Sequence, residues 1–146
     1  MFYGEFLQDV DARGRLVIPQ AFRADLANGL VITRGLDGCL LVYPASRWDE
    51  VADAVSRLPL TRSVARAFVR LLLGGASPQT LDTQGRFTLP VPLRRYARLD
   101  SSAVIVGTGD HIEIWGDTAW DRMTDDLAEN GSEIAENLSN LGFALS

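Results

Sequence analysis

Apolar residues recur along this chain with two periods. Leu30–Arg34 and Cys39–Tyr43 are nearly continuous apolar runs on either side of Gly35-Leu36-Asp37-Gly38, a pattern that predicts two strands joined by a turn. Ala103–Gly107 and Ile112–Trp115 repeat it. Phe6–Val10 and Arg15–Ile18 read as a further strand pair around Asp11-Ala12-Arg13-Gly14, a tight turn in which Asp bonds nearby backbone and Gly takes a positive φ. Pro19 and Pro90 stop a strand and open short helices over Gln20–Ala27 and Val91–Ala97. The period then changes. Trp48, Val51, Ala52, Val55 and Leu58 fall at helical spacing, with Ser46 as N-cap and Asp49 in the first turn, and Pro59 ends the run. Thr61 caps a second helix that runs to Leu73 and stops at Gly74-Gly75. Asp117 or Thr118 caps another, bearing Trp120, Met123 and Leu127 and ending near Gly131. The segment 131–146 reads as either a short helix or a frayed end.

Self-comparison organises these elements. DARGRLVIP (11–19) recurs as DTQGRFTLP (82–90): Asp11, Gly14, Arg15 and Pro19 reappear 71 positions later as Asp82, Gly85, Arg86 and Pro90, and Arg23 as Arg94. The match continues with a small drift, from Leu30-Val31-Ile32 to Ala103-Val104-Ile105, Tyr43 to Trp115 and Trp48 to Trp120. Each half thus has the order motif, short helix, two strands, helix. A lone hairpin is marginal in water, so the halves are expected to share one core, strand against strand, with pseudo-two-fold symmetry and two Gly-Arg turns on display. The implied fold class is α+β, mainly β, with a barrel-like core. It divides into a first repeat (1–54), a helical bridge (55–76), a second repeat (77–128) and an acidic tail (129–146).

Composition narrows the chemistry. The one cysteine, Cys39, and one histidine, His111, leave no Cys-rich zinc site, and Ser-His or Cys-His catalysis would have to use that single His. All 14 basic residues are arginine; the absence of lysine removes a Walker A site and Schiff-base chemistry. No apolar run reaches the roughly 20 residues of a membrane span, and the start lacks a signal-peptide pattern, so a cytoplasmic protein is expected. The net charge of -5 opposes nucleic-acid binding until it is divided. Residues 1–99 carry 13 Arg against 9 acids (+4), and residues 100–146 carry 1 Arg against 10 acids (-9). Phosphate responds to local field, so the first two thirds can present a positive face.

The doubled D-x-x-G-R-x-x-[IL]-P motif resembles that of the MraZ family. So do Met1-Phe2 near a Gly, TRGLDGCLLVYP (33–44), LPL (58–60), ARAFVRLLLGGAS (65–77) and EIW (113–115), in the family's order over about residues 1–128. The resemblance implies two AbrB-like swapped-hairpin repeats. It implies a transcriptional regulator of the bacterial division and cell wall gene cluster, acting at its own promoter. Its partners would be short direct repeats in double-stranded DNA and other copies of itself in a ring, with association to the nucleoid. The presumed DNA contacts map to Arg13, Gly14 and Arg15 in the first turn and to Gly85 and Arg86 in the second. Gln84 stands where the first copy has Arg13, so the two turns are unequal, although Gln also bonds base edges or phosphate. No cofactor, metal, membrane or small-molecule substrate is implied.

Each residue also has a plainer reading. Arg15 and Arg86 can hold their turns through ion pairs with Asp11 and Asp82, a role compatible with DNA contact. Arg23, Arg94 and Arg95 suit phosphate contact or a solvated helix face. Arg62, Arg66 and Arg70 form a helical stripe better suited to local or intersubunit ion pairing than to DNA. Trp48, Trp115 and Trp120 are expected in the core, Cys39 as a buried small hydrophobe, and His111 in a surface turn. The carboxylates of 117–136 read as a solvated face rather than a metal site. A protein-interaction scaffold is the competing function, favoured by the acidic C-terminal third. An antitoxin-like DNA binder fits two copies joined by a helical bridge poorly, and an enzyme is the weakest reading.

Overall fold

The structure, a computed structural model, describes residues 1–143. Its strands are β1 (Phe2–Asp9), β2 (Arg15–Val17), β3 (Leu30–Arg34), β4 (Leu40–Pro44), β5 (Ser77–Gln79), β6 (Arg86–Thr88), β7 (Ser102–Gly109) and β8 (Ile112–Trp115). The helices are α1 (Gln20–Arg23), α2 (Ala45–Ser56), α3 (Ser63–Leu72), α4 (Val91–Tyr96), α5 (Asp117–Glu129) and α6 (Gly131–Asn140).

Six strands form one antiparallel sheet in the order β1-β7-β8-β4-β3-β5, while β2 and β6 pair with each other. The order is unchanged when each strand of one half is exchanged with its counterpart in the other. The first strand of each half crosses over: β1 adds to β7 of the second half, and β5 adds to β3 of the first. Neither half closes its sheet alone, which is the shared core expected from the repeat. The expected barrel-like closure is not found. The sheet is open, with β1 and β5 as its two edges, because β2 and β6 leave it to make a separate ribbon.

That exchange also revises the hairpin expected around Asp11. The first strand starts at Phe2 and pairs with β7, so the link between Val10 and Leu16 is a single bridge. In the ribbon, Leu16 opposes Phe87 and both turn inward at 0% and 3% exposure, joining a core with Ile18, Ile32, Leu89, Ile105 and Ile114. Burying each such side chain contributes about 1.5–3 kcal/mol, so the ribbon is pinned by its inner face.

Helix ends differ from expectation in detail. Pro44, at φ -54, precedes the first helical residue of α2, so Ser46 lies inside the helix rather than at its cap. Arg62, not Thr61, occupies the cap of α3, and Gly116 that of α5. The expected helix over Gln20–Ala27 breaks after one turn into a 3-10 turn at Ala24–Leu26. Gly74-Gly75 ends α3 for a packing reason: Arg34 of β3 donates to the Leu71 carbonyl (3.0 Å) and the Arg70 carbonyl (2.6 Å), and a Cβ on Gly75 would sit 2.8 Å from its Nε. The repeat-matched aromatic pairs Tyr43–Trp48 and Trp115–Trp120 pack with tilted rings, their centroids 5.8 and 5.4 Å apart. Trp115 is buried; Trp48 and Trp120 are half-buried. The open question over 131–146 resolves into a helix for its described part: α6 forms, with none of its residues buried. No helix is long and apolar enough to cross a membrane among the described residues.

Candidate nucleic-acid interface

Each turn is built around one carboxylate. Asp11 Oδ1 accepts the backbone N–H groups of Arg13 (2.9 Å) and Arg15 (2.8 Å), and Oδ2 accepts Arg15 Nε at 2.6 Å. Asp82 repeats the set with Gln84 (2.9 Å), Arg86 (2.9 Å) and Arg86 Nε (2.9 Å). The backbone closes the loop, with Gly14 N–H on the Asp11 carbonyl at 2.9 Å and Gly85 N–H on the Asp82 carbonyl at 3.0 Å. Gly14 and Gly85 stand at φ 77 and 74, where a side chain is strained. The Arg15 and Arg86 backbone N–H groups foremost, helped by the guanidinium groups, hold the Asp11 and Asp82 carboxyls below their ordinary pKa. The ion-pair reading of Arg15 and Arg86 is therefore realised in both turns.

The ribbon places the turns together. In its register Arg15 opposes Thr88 and Val17 opposes Arg86, so both arginines lie on the outer face, opposite Leu16 and Phe87. The Leu89 N–H donates to the Gly14 carbonyl (2.8 Å) and the Ile18 N–H to the Gly85 carbonyl (2.9 Å), which ties each turn to the far end of the other half's strand. Gly14 and Gly85 are thus separated by about four residues of ribbon, or roughly 13 Å at about 3.3 Å per residue. The major groove of B-DNA is about 12 Å wide and admits a two-stranded ribbon. Arg13 and Gln84 are exposed at the tips. The Arg13 guanidinium has no ion-pair or hydrogen-bond partner among the described residues.

Two further arginines belong to this unit, in a role the sequence did not indicate. A Cβ on Gly14 would lie 2.7 Å from Arg94 Cζ, and one on Gly85 would lie 2.3 Å from Arg23 Nε. Each turn is therefore backed by the arginine that follows the other half's motif. Arg23 Nε also donates to the Ile18 carbonyl at 2.9 Å, whereas Arg94 Nε is buried with no hydrogen-bond partner among the described residues. The matched offset of Arg23 and Arg94 was visible in the repeat. Their crossing to the opposite turn was not, because it follows from strand exchange. Arg95 is exposed.

The remaining candidates lie elsewhere. Burial pushes the Cys39 thiol up to about 12, with Glu113 and Asp37 adding to the effect. His111 is half-buried rather than merely superficial: its ring stacks on Tyr43 at 4.8 Å and Nδ1 lies 2.7 Å from Asp110. Arg66 donates to the Leu60 carbonyl at 2.9 Å, and Arg62, Arg66 and Arg70 make no ion pair among the described residues.

Two interlocked repeats that set paired arginine turns on one ribbon face define the class: a tandem-repeat α+β protein with a cationic ribbon. A family described as "MraZ protein, putative antitoxin-like" matches residues 1–71 and again 72–140, and the chain belongs to this family. A protein of Lactiplantibacillus plantarum named "Transcriptional regulator MraZ" is 49% identical over 138 residues, which is 94% of this chain and 98% of that protein. Proteins of the same name from Desulforamulus reducens and Pelotomaculum thermopropionicum are 44% and 43% identical, covering 97% and 99% of this chain and 99% and 100% of their own lengths.

Proposed function

We propose that this chain is a transcriptional regulator that binds short direct repeats in double-stranded promoter DNA, upstream of its own gene in the division and cell wall cluster. The ribbon enters the major groove, and Arg13, Gly14 and Arg15, with Gln84, Gly85 and Arg86, contact phosphates and base edges. The observation that carries this reading is the pair of braced turns on one outer ribbon face, with Arg13 exposed at a tip and its guanidinium unpaired among the described residues. The Nε atoms of Arg15 and Arg86 are committed to carboxylates, which fixes each guanidinium in place, while its terminal nitrogens make no hydrogen bond among the described residues and remain available to an acceptor. A good bidentate base contact supplies about 1–3 kcal/mol of discrimination. Tight binding therefore calls for several protomers, and a homo-oligomeric ring would multiply the effect through local concentration. We read the strand exchange as the AbrB-like swapped hairpin, the segments 1–54, 55–76, 77–128 and 129–146 as repeat, bridge, repeat and tail, and the site of action as the nucleoid.

In a mobility-shift titration with the DNA upstream of the gene, Arg15→Ala weakens binding more than Arg86→Ala, because only the first turn carries Arg13 as well. Equal losses would contradict that ranking. Loss of secondary structure in either variant would assign the arginine to turn stability alone. The exposed acidic C-terminal helices favour a second reading, a protein-interaction scaffold. Binding of DNA that ignores sequence would bring that reading forward.

A further inference from the structure

Away from the ribbon, an open pocket lies between the end of α3 and the helix α4. Its volume is about 420 Å³, a size at which small molecules are bound. Arg34 and Arg95 line it together with Pro90, Pro92, Leu93 and Tyr96, and no carboxylate does. Arg34 is held in place: its Nε donates to the Leu71 carbonyl at 3.0 Å and its Nη2 to the Arg70 carbonyl at 2.6 Å, which leaves Nη1 without a hydrogen bond among the described residues. Tyr96 is held as well, its hydroxyl donating to the Gly35 carbonyl at 2.6 Å. Arg95 is exposed. The pocket thus joins two cations to an apolar wall.

The internal repeat separates what the fold uses from what is added here. Pro90, Leu93 and Arg94 keep their character in the other half as Pro19, Phe22 and Arg23, with Leu93 and Phe22 both buried. The residues that give the pocket its chemistry do not. Arg34 is matched by Gly107, Arg95 by Ala24 and Tyr96 by Asp25. The other half therefore builds the same short helix and strand without cations or a ring, and sets a carboxylate in their place. The helix α3, which closes one side of the pocket, also precedes only the second half. Arg34 has a structural use in anchoring the end of α3, but that occupies two of the five N–H groups of its guanidinium.

We propose that this pocket binds a small phosphate monoester with an apolar, ring-bearing body. The phosphate lies against the guanidinium groups of Arg34 and Arg95, whose planar donors suit phosphate oxygens. The body rests on Pro90, Pro92, Leu93 and Tyr96. The helix α4 carries both Arg95 and Arg94, and the Arg94 guanidinium backs Gly14 of the first turn. A phosphate monoester brings a charge of about -1.5 to -2 to that helix, which lowers the positive field at the turn. The ligand is therefore an effector that weakens DNA binding. The effector role rests on the proposed function; the pocket itself does not.

The test is titration calorimetry of the full chain with phenyl phosphate, set against inorganic phosphate and benzoate. Phenyl phosphate is expected to bind more tightly than either. Arg95→Glu and Pro92→Glu, both at exposed positions, are each expected to weaken it about tenfold or more with circular dichroism unchanged. Arg13→Ala, at the first turn, is expected to leave it unaltered. No binding of phenyl phosphate overturns the site, and so does wild-type affinity in both glutamate variants. A loss with Arg13→Ala instead places the phosphate at the turns and overturns it too. Benzoate binding as tightly overturns the phosphate class, and inorganic phosphate binding as tightly overturns the apolar wall. The effector role is read by mobility shift: saturating phenyl phosphate is expected to weaken promoter binding roughly fivefold, the lower end of ordinary coupling between sites. Unchanged DNA affinity overturns that role. A chain that binds phenyl phosphate but shows no selective DNA binding overturns the proposed function and leaves the pocket standing.

Discussion

Gly14 and Gly85 occupy the same place in the two repeats and the same region of backbone space, yet their replacement by alanine should not cost the same. Either substitution puts an L-residue at a φ near +75, a strain of about 1–2 kcal/mol. They differ in what the new Cβ meets. At Gly14 it would lie 2.7 Å from the far end of the Arg94 side chain, whose Nε holds no hydrogen bond within the described residues and which can swing away. At Gly85 it would lie 2.3 Å from Arg23 Nε and 2.8 Å from Arg23 Cδ, nearer the side chain's root, and moving them breaks the bond from Nε to the Ile18 carbonyl. A hydrogen bond of this kind contributes about 0.5–1.5 kcal/mol. The expected losses are thus about 1–2 kcal/mol for Gly14→Ala and about 2–3 kcal/mol for Gly85→Ala. Urea denaturation at one fixed protein concentration measures both, since association would otherwise shift the midpoints. A double-mutant cycle isolates the brace: in an Arg23→Ala background, Gly85→Ala should fall to the cost of Gly14→Ala. Equal costs in the wild-type background, or no change with Arg23→Ala, would refute the crossed brace.

Three further outcomes follow from the geometry. Asp11 and Asp82 have depressed folded pKa values, so their contribution is complete above the ordinary carboxylate range near about 3.9 and is lost as pH falls through the lower folded value; Asp11→Asn should flatten the acid limb of a stability–pH profile, and an unchanged limb would remove the carboxylate from the turn. With its thiol raised from 9.0 to about 12, Cys39 should have a thiolate population about a thousandfold smaller at pH 8 and resist alkylation until the protein unfolds, as read by mass spectrometry; rapid native labelling would contradict its burial. Leu16→Ala removes a fully buried side chain from the inner ribbon face and should cost about 2–5 kcal/mol in denaturant; a loss below 1 kcal/mol would mean that the ribbon is not anchored there.

Much of this was legible in the sequence because local chemistry determines it. The Asp-x-x-Gly-Arg turns form as their residues dictate: a short carboxylate bonds N–H groups two and four positions on, and only Gly is at ease at the left-handed position. The doubled motif also implied a shared core. What local pattern does not contain is which strand each run pairs with. Phe2–Asp9 alternates weakly, and its partner lies about a hundred residues away in β7, so the sequence suggested a local hairpin and a closed core where the chain makes an exchange and an open sheet. The roles of Arg23 and Arg94 were hidden for the same reason. The caps at Pro44 and Arg62 were misplaced by a residue or two because Ser and Thr nearby are better capping residues, and neither is used.

The most direct test of the central claim is the affinity of the wild-type protein for the duplex upstream of its own gene, set against a scrambled duplex of equal length at two salt concentrations. The account predicts tight binding that falls steeply with salt on both duplexes, from phosphate contacts, and a preference for the native sequence that persists at higher salt, from the arginine turns. Equal affinity for the two duplexes at both salts, or binding indifferent to salt, would contradict it.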